Sequence, residues 1–417
     1  LSYVDKKLET SILENTPTVR LVEHEHVGEP DDRWVNRLIL GDSLPVLKIL
    51  SSDLTIRGHV RLIYIDPPYS TRQIFETRKL WYLPNAADNG GEYAYNDELG
   101  GAAYLEFLRK RLILLRELLA DDGSIYVHLD SNMAFSVKVI MDEVFGARNF
   151  RAWITRQKCS TKNYTRHVYG NISDFIMLYT KSEKYVWHRP YEKWDEKRIR
   201  KEYNRIEKAT GRRYKLVPIH AQEVRNGSTG RMWRGMMPPP GKHWQYTPEK
   251  LDELDRRGEI HWSPTGNPRK KVYFDPASKG VPMQDIWTGF RDAINQNMAM
   301  TGYPTEKNLD MLKLIVATSS NEDDIVLDAF VGSGTTCHAA AELNRRWIGI
   351  DSSETAIRIA QERLARLTQG QDSSVQGRLD LRDEHESHPK RYYSFVLLRG
   401  EVLQKPEQIV EVAEASS

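Results

Sequence analysis

The sequence Leu62-Ile63-Tyr64-Ile65-Asp66-Pro67-Pro68-Tyr69 is the clearest indication of the chain's architecture. Its first four residues favour β-structure and the run is too short for a helix, so it predicts a buried strand. The strand ends at Asp66, because Pro67 and Pro68 cannot continue a ladder or a helix and because a residue before proline is held extended. A strand that ends in an acid and a rigid turn is typical of the carboxyl edge of an open α/β sheet, where ligands bind.

The turn after this strand presents one carboxylate, backbone carbonyls and one aromatic ring. Asp66 and the Pro67 carbonyl can accept hydrogen bonds from the two hydrogens of an amino group, and Tyr69 can stack on the ring that carries it. We therefore expect a flat ligand with an exocyclic amino group at this edge. For the tetrapeptide alone, a Pro-rich turn without chemistry is the alternative, because short motifs recur by accident.

Composition limits the class of protein. The 417 residues allow two or three domains, and 40% apolar with 28% charged residues is ordinary for a globular chain. A net charge of +2 argues against a uniform basic coat but leaves room for a local basic cleft. With only Cys159 and Cys337, a disulfide framework and a cysteine zinc site are both implausible. We find no apolar run of ~18 residues and no signal-peptide pattern, so we predict a cytoplasmic protein.

The order of predicted elements indicates five segments. Two consecutive strands that end in acids, at Gly41-Asp42 and at Asp66, indicate a parallel sheet, with Ser43 capping the helix between them. Near the C-terminus, Thr305 is the expected N-cap of a helix that begins at Leu309. The long loop over 70–103 directly follows the candidate catalytic turn, so we expect a functional lid. The predicted segments are an N-terminal arm (1–33), a catalytic half (34–180), an inserted domain (181–285), a cofactor-binding half (286–368) and a C-terminal appendage (369–417).

The inserted segment differs from the rest of the chain in composition and in its pattern of predicted elements. Tryptophans such as Trp194, Trp233 and Trp244 alternate with basic clusters such as 197–201, and the strand–helix alternation stops. Aromatic rings among Arg and Lys suit phosphate contacts and base stacking. The alternative is a solvated face around a small aromatic core.

A second signal lies near the C-terminus. Residues 325–330 predict a strand, 331–336 a tight turn, 337–344 an Ala-rich helix, and 346–351 another strand that ends in an acid. Glycines in such a turn let a ligand approach the backbone, and the helix N-terminus offers free N–H groups to an anion. An acid about 20 residues after the glycines is the usual partner of ribose hydroxyls.

The kind of nucleotide ligand follows from what this turn lacks. Cys337 stands where a dinucleotide site would have a third glycine, and no Gly-Lys-Ser/Thr follows, so a P-loop is excluded. S-adenosylmethionine, which has a ribose and a carboxylate, fits. Its carboxylate would face 332–334 and its ribose would meet Asp351. Phe330 would make a cation–π contact with the sulfonium, and Asp42 would accept from the adenine amino group.

With both halves in view, the chain resembles the β-class DNA amino-methyltransferases, in which the Asp-Pro-Pro-Tyr half precedes the recognition domain and the cofactor turn comes late. The resemblance runs over about 36–367. Asn308, where many relatives have Pro, and Tyr303, where His is common, depart from the pattern and put only that element's ligand assignment in doubt. The motifs that carry the resemblance are Gly41-Asp42, Asp66-Pro67-Pro68-Tyr69, Asp122-Gly123-Ser124, Pro304-Thr305-Glu306-Lys307 and the stretch 328–336.

The resemblance implies a Rossmann-like methyltransferase sheet with helices on both faces, in permuted order, with an inserted target-recognition domain. It implies methyl transfer from S-adenosyl-L-methionine to N6 of an adenine flipped out of double-stranded DNA, with no metal. Candidate partners besides DNA are a second copy of the chain and a cognate restriction enzyme. The implied catalytic residues are Asp66, Pro67, Pro68 and Tyr69. The implied cofactor-binding residues are Asp42, Asp66, Thr305, Lys307, Asp328, Phe330, Gly332, Ser333, Gly334, Thr335 and Asp351.

Four alternatives stay open at this point. N4-cytosine methylation uses the same geometry, but members that do it usually have Ser where Asp66 stands. A DNA-binding specificity subunit with an inactive methylase fold would not need Asp66, Tyr69 and Gly332-Ser333-Gly334 intact. A protein-glutamine methyltransferase would resemble an unpermuted Asn-Pro-Pro-Tyr version without a large insert. For a dehydrogenase-like nucleotide binder, Cys337 is unfavourable.

Overall fold

The computed structural model describes residues 2–3, 5–28, 34–68, 101–160, 167, 169–292, 306–369 and 393–402, and the backbone of two short strands at Ile74–Glu76 and Tyr93–Asn96. The chain forms two units, one made of Leu1–Pro190 and Met283–Ser417 and the other of Tyr191–Pro282. Within the described ranges, no helix combines the length and the apolar character needed to cross a bilayer. The lid predicted over 70–103 lies almost entirely outside the described residues.

The larger unit is built on a ten-stranded sheet in the order β1-β10-β2-β9-β8-β3-β4-β6-β5-β7. The six strands from β10 to β4 are parallel, β1 and β6 flank them in antiparallel pairing, and β5 and β7 extend the sheet beyond β6. Numbered along the chain, the strands are β1 (Val19–Val27), β2 (Asn36–Leu40), β3 (Val60–Ile65), β4 (Leu119–Leu129), β5 (Phe150–Gln157), β6 (Ser173–Thr180), β7 (Ile286–Trp287), β8 (Ile325–Asp328), β9 (Arg346–Asp351) and β10 (Phe395–Val402).

Helices cover both faces of this sheet, because the central strands are apolar on both sides. Leu62 and Tyr64 point into one buried core, whereas Ile63 and Ile65 point into the other. The core that contains Ile63 and Ile65 packs against α2, α3 and α4. The core that contains Leu62 and Tyr64 packs against α5, α6 and α7. The helices of this unit are α1 (Glu9–Asn15), α2 (Ser43–Leu50), α3 (Gly101–Leu118), α4 (Ala134–Phe145), α5 (Leu309–Ser319), α6 (Thr335–Glu342) and α7 (Glu354–Thr368).

The strand order explains how two distant segments make one sheet. β8 and β9 follow the insert in sequence, yet they lie between β2 and β3, which precede it. The predicted Rossmann-like sheet with helices on both faces is therefore confirmed. It also places the ends of β2, β9, β8 and β3 side by side at one edge.

The C-terminal segment differs from prediction. Residues 369–417 were expected to form an appendage, but β10 lies inside the main sheet between β1 and β2. Its Phe395 and Leu397 are buried, so the strand gains a core position that an appendage would lack. The N-terminal segment, for which an arm or a short edge element was expected, supplies α1 and the edge strand β1.

Two helix caps also differ from prediction. Asp42, not Ser43, caps α2, because its carboxylate accepts from the Leu44 N–H at 2.9 Å. Asn308, not Thr305, caps α5, with its side-chain oxygen 3.1 Å from the Met311 nitrogen. Thr305 lies outside the described residues.

The smaller unit, Tyr191–Pro282, has its own core. Trp233 and Trp244 are buried there, so these two rings stabilise the unit and are not available for base stacking. Its helices are Glu196–Glu202 and Pro248–Arg256. Its four-stranded sheet consists of Arg205–Ile206, Arg213–Pro218, Pro268–Tyr273 and Ile260–Trp262, and two further strand pairs join Tyr191–Glu192 to Val281–Pro282 and His220–Gln222 to Lys242–Trp244.

Candidate active site

A row of carboxylates lies along one edge of the main sheet. Asp42 follows β2, Asp351 ends β9, Asp328 ends β8 and Asp66 follows β3. Because these four strands are parallel neighbours, the acids stand next to one another in that order. The structure thus brings together predicted residues from both halves of the chain.

Asp66 is ion-paired with Lys307. The Lys307 Nζ lies 2.5 Å from Asp66 Oδ2, and the two side chains are only 11% and 16% exposed. Pro67, the next residue, is buried, and Pro68 is half-buried. Lys307 was predicted from the resemblance as a cofactor ligand, and the structure places its ammonium on the candidate catalytic carboxylate. Tyr69, the predicted stacking ring, lies outside the described residues.

Asp328 is the most enclosed acid of the row, at 2% exposure. Its two oxygens accept from the Phe330 N–H at 3.0 Å and from the Thr336 hydroxyl at 2.6 Å. Desolvation, aided by the charges of Asp66 and Asp351, raises the pKa of Asp328 to about 7, although the two hydrogen bonds oppose this. Such a site favours a ligand that brings positive charge.

Asp351 holds the glycine turn. Its Oδ2 accepts from the Gly332 N–H and its Oδ1 from the Ser353 N–H, both at 2.9 Å, while desolvation raises the pKa of its carboxyl group. Gly332 and Gly334 have φ values of 51° and 79°, a conformation that glycine adopts without strain. The turn therefore depends on glycine at both positions.

Asp42 makes contacts that the sequence did not predict. Its Oδ1 lies 2.5 Å from an Arg111 nitrogen, and the Arg111 guanidinium stacks 3.6 Å from the centre of the Phe107 ring. Phe107 in turn lies 6.1 Å from the ring of Phe330. These two α3 residues were missed, and the available signal was an arginine within a Leu-rich helical face.

His128 belongs to a buried polar chain. Its Nδ1 lies 2.7 Å from the Tyr64 hydroxyl, and its Nε2 lies 2.9 Å from Asp174, which Arg156 also holds. All four side chains are buried within the sheet layer. The geometry therefore favours a structural role for His128. Among the described residues, no cluster of His, Cys, Asp and Glu could hold a metal ion.

Comparison with known proteins identifies the class. The model of the N6/N4 methyltransferase family, described as DNA methylase, matches residues 60–362. The chain belongs to this family of DNA methylases. The predicted resemblance is confirmed, and so is the predicted cofactor, because S-adenosyl-L-methionine is the methyl donor of this family.

Individual relatives show how far the likeness extends. The chain is 47% identical over 367 residues to the type II methyltransferase M.EcaI of Enterobacter cloacae, covering 88% of this chain and 77% of that protein. It is 27% identical over 348 residues to the StyLTI Mod subunit, a type III restriction-modification protein of Salmonella typhimurium, covering 78% of this chain but only 52% of that protein. A solved putative DNA modification methylase of Thermus thermophilus complexed with S-adenosyl-L-methionine has a TM-score of 0.42, 15% identity, and coverage of 89% and 100%.

The residues at the strand edge suit this cofactor. Its sulfonium and ammonium groups are cationic, and the desolvated carboxylates of Asp328 and Asp351 would gain a counter-charge from them. Gly334 also leaves little room for a side chain, because an added Cβ would lie 3.0 Å from the Ala360 Cβ. The backbone of the turn therefore carries no side chain at Gly334, next to the row of carboxylates.

The raised pKa of Asp328 predicts a pH-dependent stability. Between pH ~4 and pH ~7 the folded chain holds a proton that the unfolded chain releases, so this group lowers the free energy of unfolding as pH rises. Asp328→Asn keeps an acceptor for the Phe330 N–H and offers its NH2 group to the Thr336 hydroxyl, which can turn to accept, but it cannot ionise. Between pH 5 and pH 8, the free energy of unfolding of the variant is expected to fall by about 2–3 kcal/mol less than that of the wild type, at 1.36 kcal/mol per pKa unit.

Urea unfolding of the ligand-free protein at several pH values measures this difference. Glu354→Gln, at an exposed carboxylate on α7, is the matched control. Equal pH slopes for Asp328→Asn and the wild type would show that Asp328 is already ionised at pH 5.

Proposed function

We propose that this DNA methyltransferase transfers a methyl group from S-adenosyl-L-methionine to N6 of an adenine flipped out of double-stranded DNA at a defined sequence. The observation that carries the proposal is the Asp66 carboxylate. It follows β3, precedes buried Pro67 and is paired with Lys307, beside the carboxylates of the glycine-turn half. A carboxylate accepts hydrogen bonds and donates none, which suits an amino group.

The chemistry follows from alignment. The bound cofactor would supply an electrophilic methyl group: its S–CH3 bond would break as the N–CH3 bond forms, S-adenosylhomocysteine would leave, and the nitrogen would lose one proton to Asp66 or to water. Asp66 and the Pro67 carbonyl would accept both hydrogens of the substrate amino group, which directs its nitrogen lone pair away from them and toward that methyl. Tyr69 would stack on the extruded base, which must leave the duplex for this alignment. Positioning and electrostatic stabilisation of the developing charge supply most of the acceleration.

The other cofactor roles are assigned on the same basis. The turn formed by Gly332, Ser333, Gly334 and Thr335 would face the methionine carboxylate, and Asp351 would meet the ribose. Phe330 would contact the sulfonium. Asp42 contacts Arg111 and the N-terminus of α2, and its side chain remains 58% exposed. Its carboxylate is therefore still available to the adenine amino group.

The charge distribution supports DNA recognition by the insert. Residues 191–282 carry 21 Lys and Arg against 12 Asp and Glu, a net charge of +9 on 92 residues. The other 325 residues carry 39 against 46, a net charge of −7, which together give the +2 of the whole chain. Polyanionic DNA is attracted by such a local excess. We therefore assign target recognition to this unit.

The choice of adenine rests on Asp66, since N4-cytosine members of the resembling class usually have Ser at this position. We further propose a cytoplasmic location and a homodimer. We also propose a cognate restriction enzyme as partner, in keeping with the type III restriction-modification name of the StyLTI relative.

Nucleoside mass spectrometry tests the proposal. Unmethylated genomic DNA is incubated with the protein and methyl-deuterated S-adenosyl-L-methionine, and cofactor binding is measured on the same preparation by calorimetry. Deuterated N6-methyladenine is the expected product. N4-methylcytosine would keep the mechanism but overturn the adenine assignment. Cofactor binding without any methylated base would favour a specificity subunit.

A further inference from the structure

A buried arginine lies behind the glycine turn. Arg363 of α7 is 8% exposed and contacts this turn through one nitrogen. Its Nη1 lies 3.3 Å from the Ser333 carbonyl, 3.3 Å from the Ser333 hydroxyl and 2.8 Å from the Thr335 hydroxyl. Both hydroxyls are therefore turned inward, toward the helix and away from solvent.

The same guanidinium reaches two other elements. Its Nε donates to His338 Nδ1 at 3.1 Å, and its Nη2 lies 2.9 Å from the Glu306 carboxylate, whose side chain is 2% exposed. Glu306 directly precedes Lys307, which pairs with Asp66. Arg363 thus contacts the glycine turn, and its partner Glu306 is the sequence neighbour of Lys307 in the Lys307–Asp66 ion pair.

We propose that Arg363 is a positioning residue that fixes the cofactor turn and, through Glu306, the Lys307–Asp66 pair. The inference rests on the proposed cofactor site and adds a residue that does not touch the ligand. Its physical basis is geometric. A guanidinium offers five donors in a rigid fork, so it can hold the Ser333–Thr335 side and the Glu306 side at fixed separation.

A lysine at this position would keep the charge but lose the fork. An ammonium is a compact charge on a flexible stem, so it can serve Glu306 or the turn hydroxyls but cannot orient both. In Arg363→Lys, Ser333 and Thr335 would then be free to rotate, and the turn amides would sample other orientations. Cofactor affinity should fall because the binding conformation is less populated.

A purely structural arginine makes a different prediction, and the chain contains one. Arg345 precedes β9, is also 8% exposed, and donates to the Ser320 carbonyl at 2.7 Å and to the Ser320 hydroxyl at 3.1 Å. Its described partners lie at the end of α5 and of α6, away from the glycine turn. Arg345→Lys therefore matches the loss of buried hydrogen bonds without touching the cofactor turn.

The test compares the wild type, Arg363→Lys and Arg345→Lys. Calorimetry with S-adenosylhomocysteine measures affinity without turnover, steady-state kinetics gives KM for cofactor and DNA separately, and hydrogen exchange follows the amides of 332–336. For Arg363→Lys we expect affinity to fall and the cofactor KM to rise by about 10–100-fold, with DNA KM changed less than about threefold and faster exchange confined to the turn. For Arg345→Lys we expect a lower Tm and unchanged affinity.

Equal affinities in the two variants would overturn the proposal and leave Arg363 a structural residue. If Arg363→Lys does not fold, Thr335→Val replaces it, because this change removes the hydroxyl that Arg363 holds at 2.8 Å and that also lies 3.2 Å from the Ser333 hydroxyl. Unchanged affinity and exchange in Thr335→Val would then overturn the proposal. Failure of the wild type to bind S-adenosylhomocysteine would instead remove the cofactor site itself, and the positioning role with it.

Discussion

Replacing Asp66 with alanine is expected to lower kcat for methyl transfer by about 10³-fold. In the proposed mechanism this carboxylate is the charged acceptor for the substrate amino group, and removing one preorganised stabilising group from an active site typically costs about 10²–10³-fold or more. Cofactor affinity should change only a few-fold, because the glycine turn and Asp351 do not depend on Asp66 in the described contacts. Single-turnover methyl transfer with saturating cofactor and DNA measures the chemical step directly.

The matched control for this variant is Asp53→Ala. Asp53 also pairs with a cation, Arg37 at 3.3 Å, and accepts from Thr55, but it lies in the turn after α2 and away from the carboxylate row. It is expected to lose a little stability and no activity. A kcat for Asp66→Ala within tenfold of the wild type would reject Asp66 as the acceptor and leave the mechanism without its central group.

The local parts of the site could be predicted from the sequence. A short β-favouring run fixes a strand, Pro67 and Pro68 fix its end, and glycines with positive φ fix the turn at Gly332 and Gly334. These features depend only on residues that are close in sequence, so they can be predicted without knowledge of the fold. The meeting of the two halves in one sheet was implied by the resemblance to the β-class DNA amino-methyltransferases rather than by any pair of residues.

Contacts between distant segments could not be predicted in this way. Arg363 on α7 meets Glu306, 57 positions earlier in the chain, and Arg111 on α3 meets Asp42. In the sequence, both arginines look like ordinary charged residues of amphipathic helices. Only packing shows that they are buried and which carboxylates they face, because a helix period fixes a face and not its neighbour.

The positions of the caps and of β10 were missed for related reasons. Asp42 and Ser43 are both good N-cap residues, and the choice between them depends on one residue of helix phase. β10 resembles an isolated apolar strand, and its place between β1 and β2 is set by pairing with strands more than 350 positions away. Sequence patterns carry no information on such long-range register.

The largest effect on stability is expected at Asp174. Its carboxylate accepts from Arg156 at 2.8 Å and 2.5 Å and lies 2.9 Å from His128 Nε2, inside the sheet layer. In Asp174→Ala, the guanidinium of Arg156, which is 1% exposed, keeps only Asp292 and the Phe290 carbonyl among its described partners. Breaking a buried pair by removing one partner typically costs about 3–5 kcal/mol.

The pH dependence separates this loss from a packing defect. Desolvation alone would raise the pKa of the Asp174 carboxyl group, but the charges of His128 and Arg156 hold it well below the usual range. A lowered carboxyl pKa stabilises the fold above the unfolded value of ~4, and the contribution fades as pH falls below it. The stability gap between wild type and Asp174→Ala should therefore be full at pH 7 and narrow toward pH 3.

Urea unfolding at pH 7 and at the lowest pH where both proteins still fold measures this gap, with Glu362→Ala as control. Glu362 pairs with Arg358 on the surface of α7, where both side chains are more than half exposed, so its loss should cost at most ~0.5 kcal/mol. A gap at pH 7 of less than about 1 kcal/mol for Asp174→Ala would mean that Asp292 or water compensates Arg156. In that case the buried polar contacts among Tyr64, His128, Asp174 and Arg156 would not be what holds β3, the strand that precedes Asp66, in place.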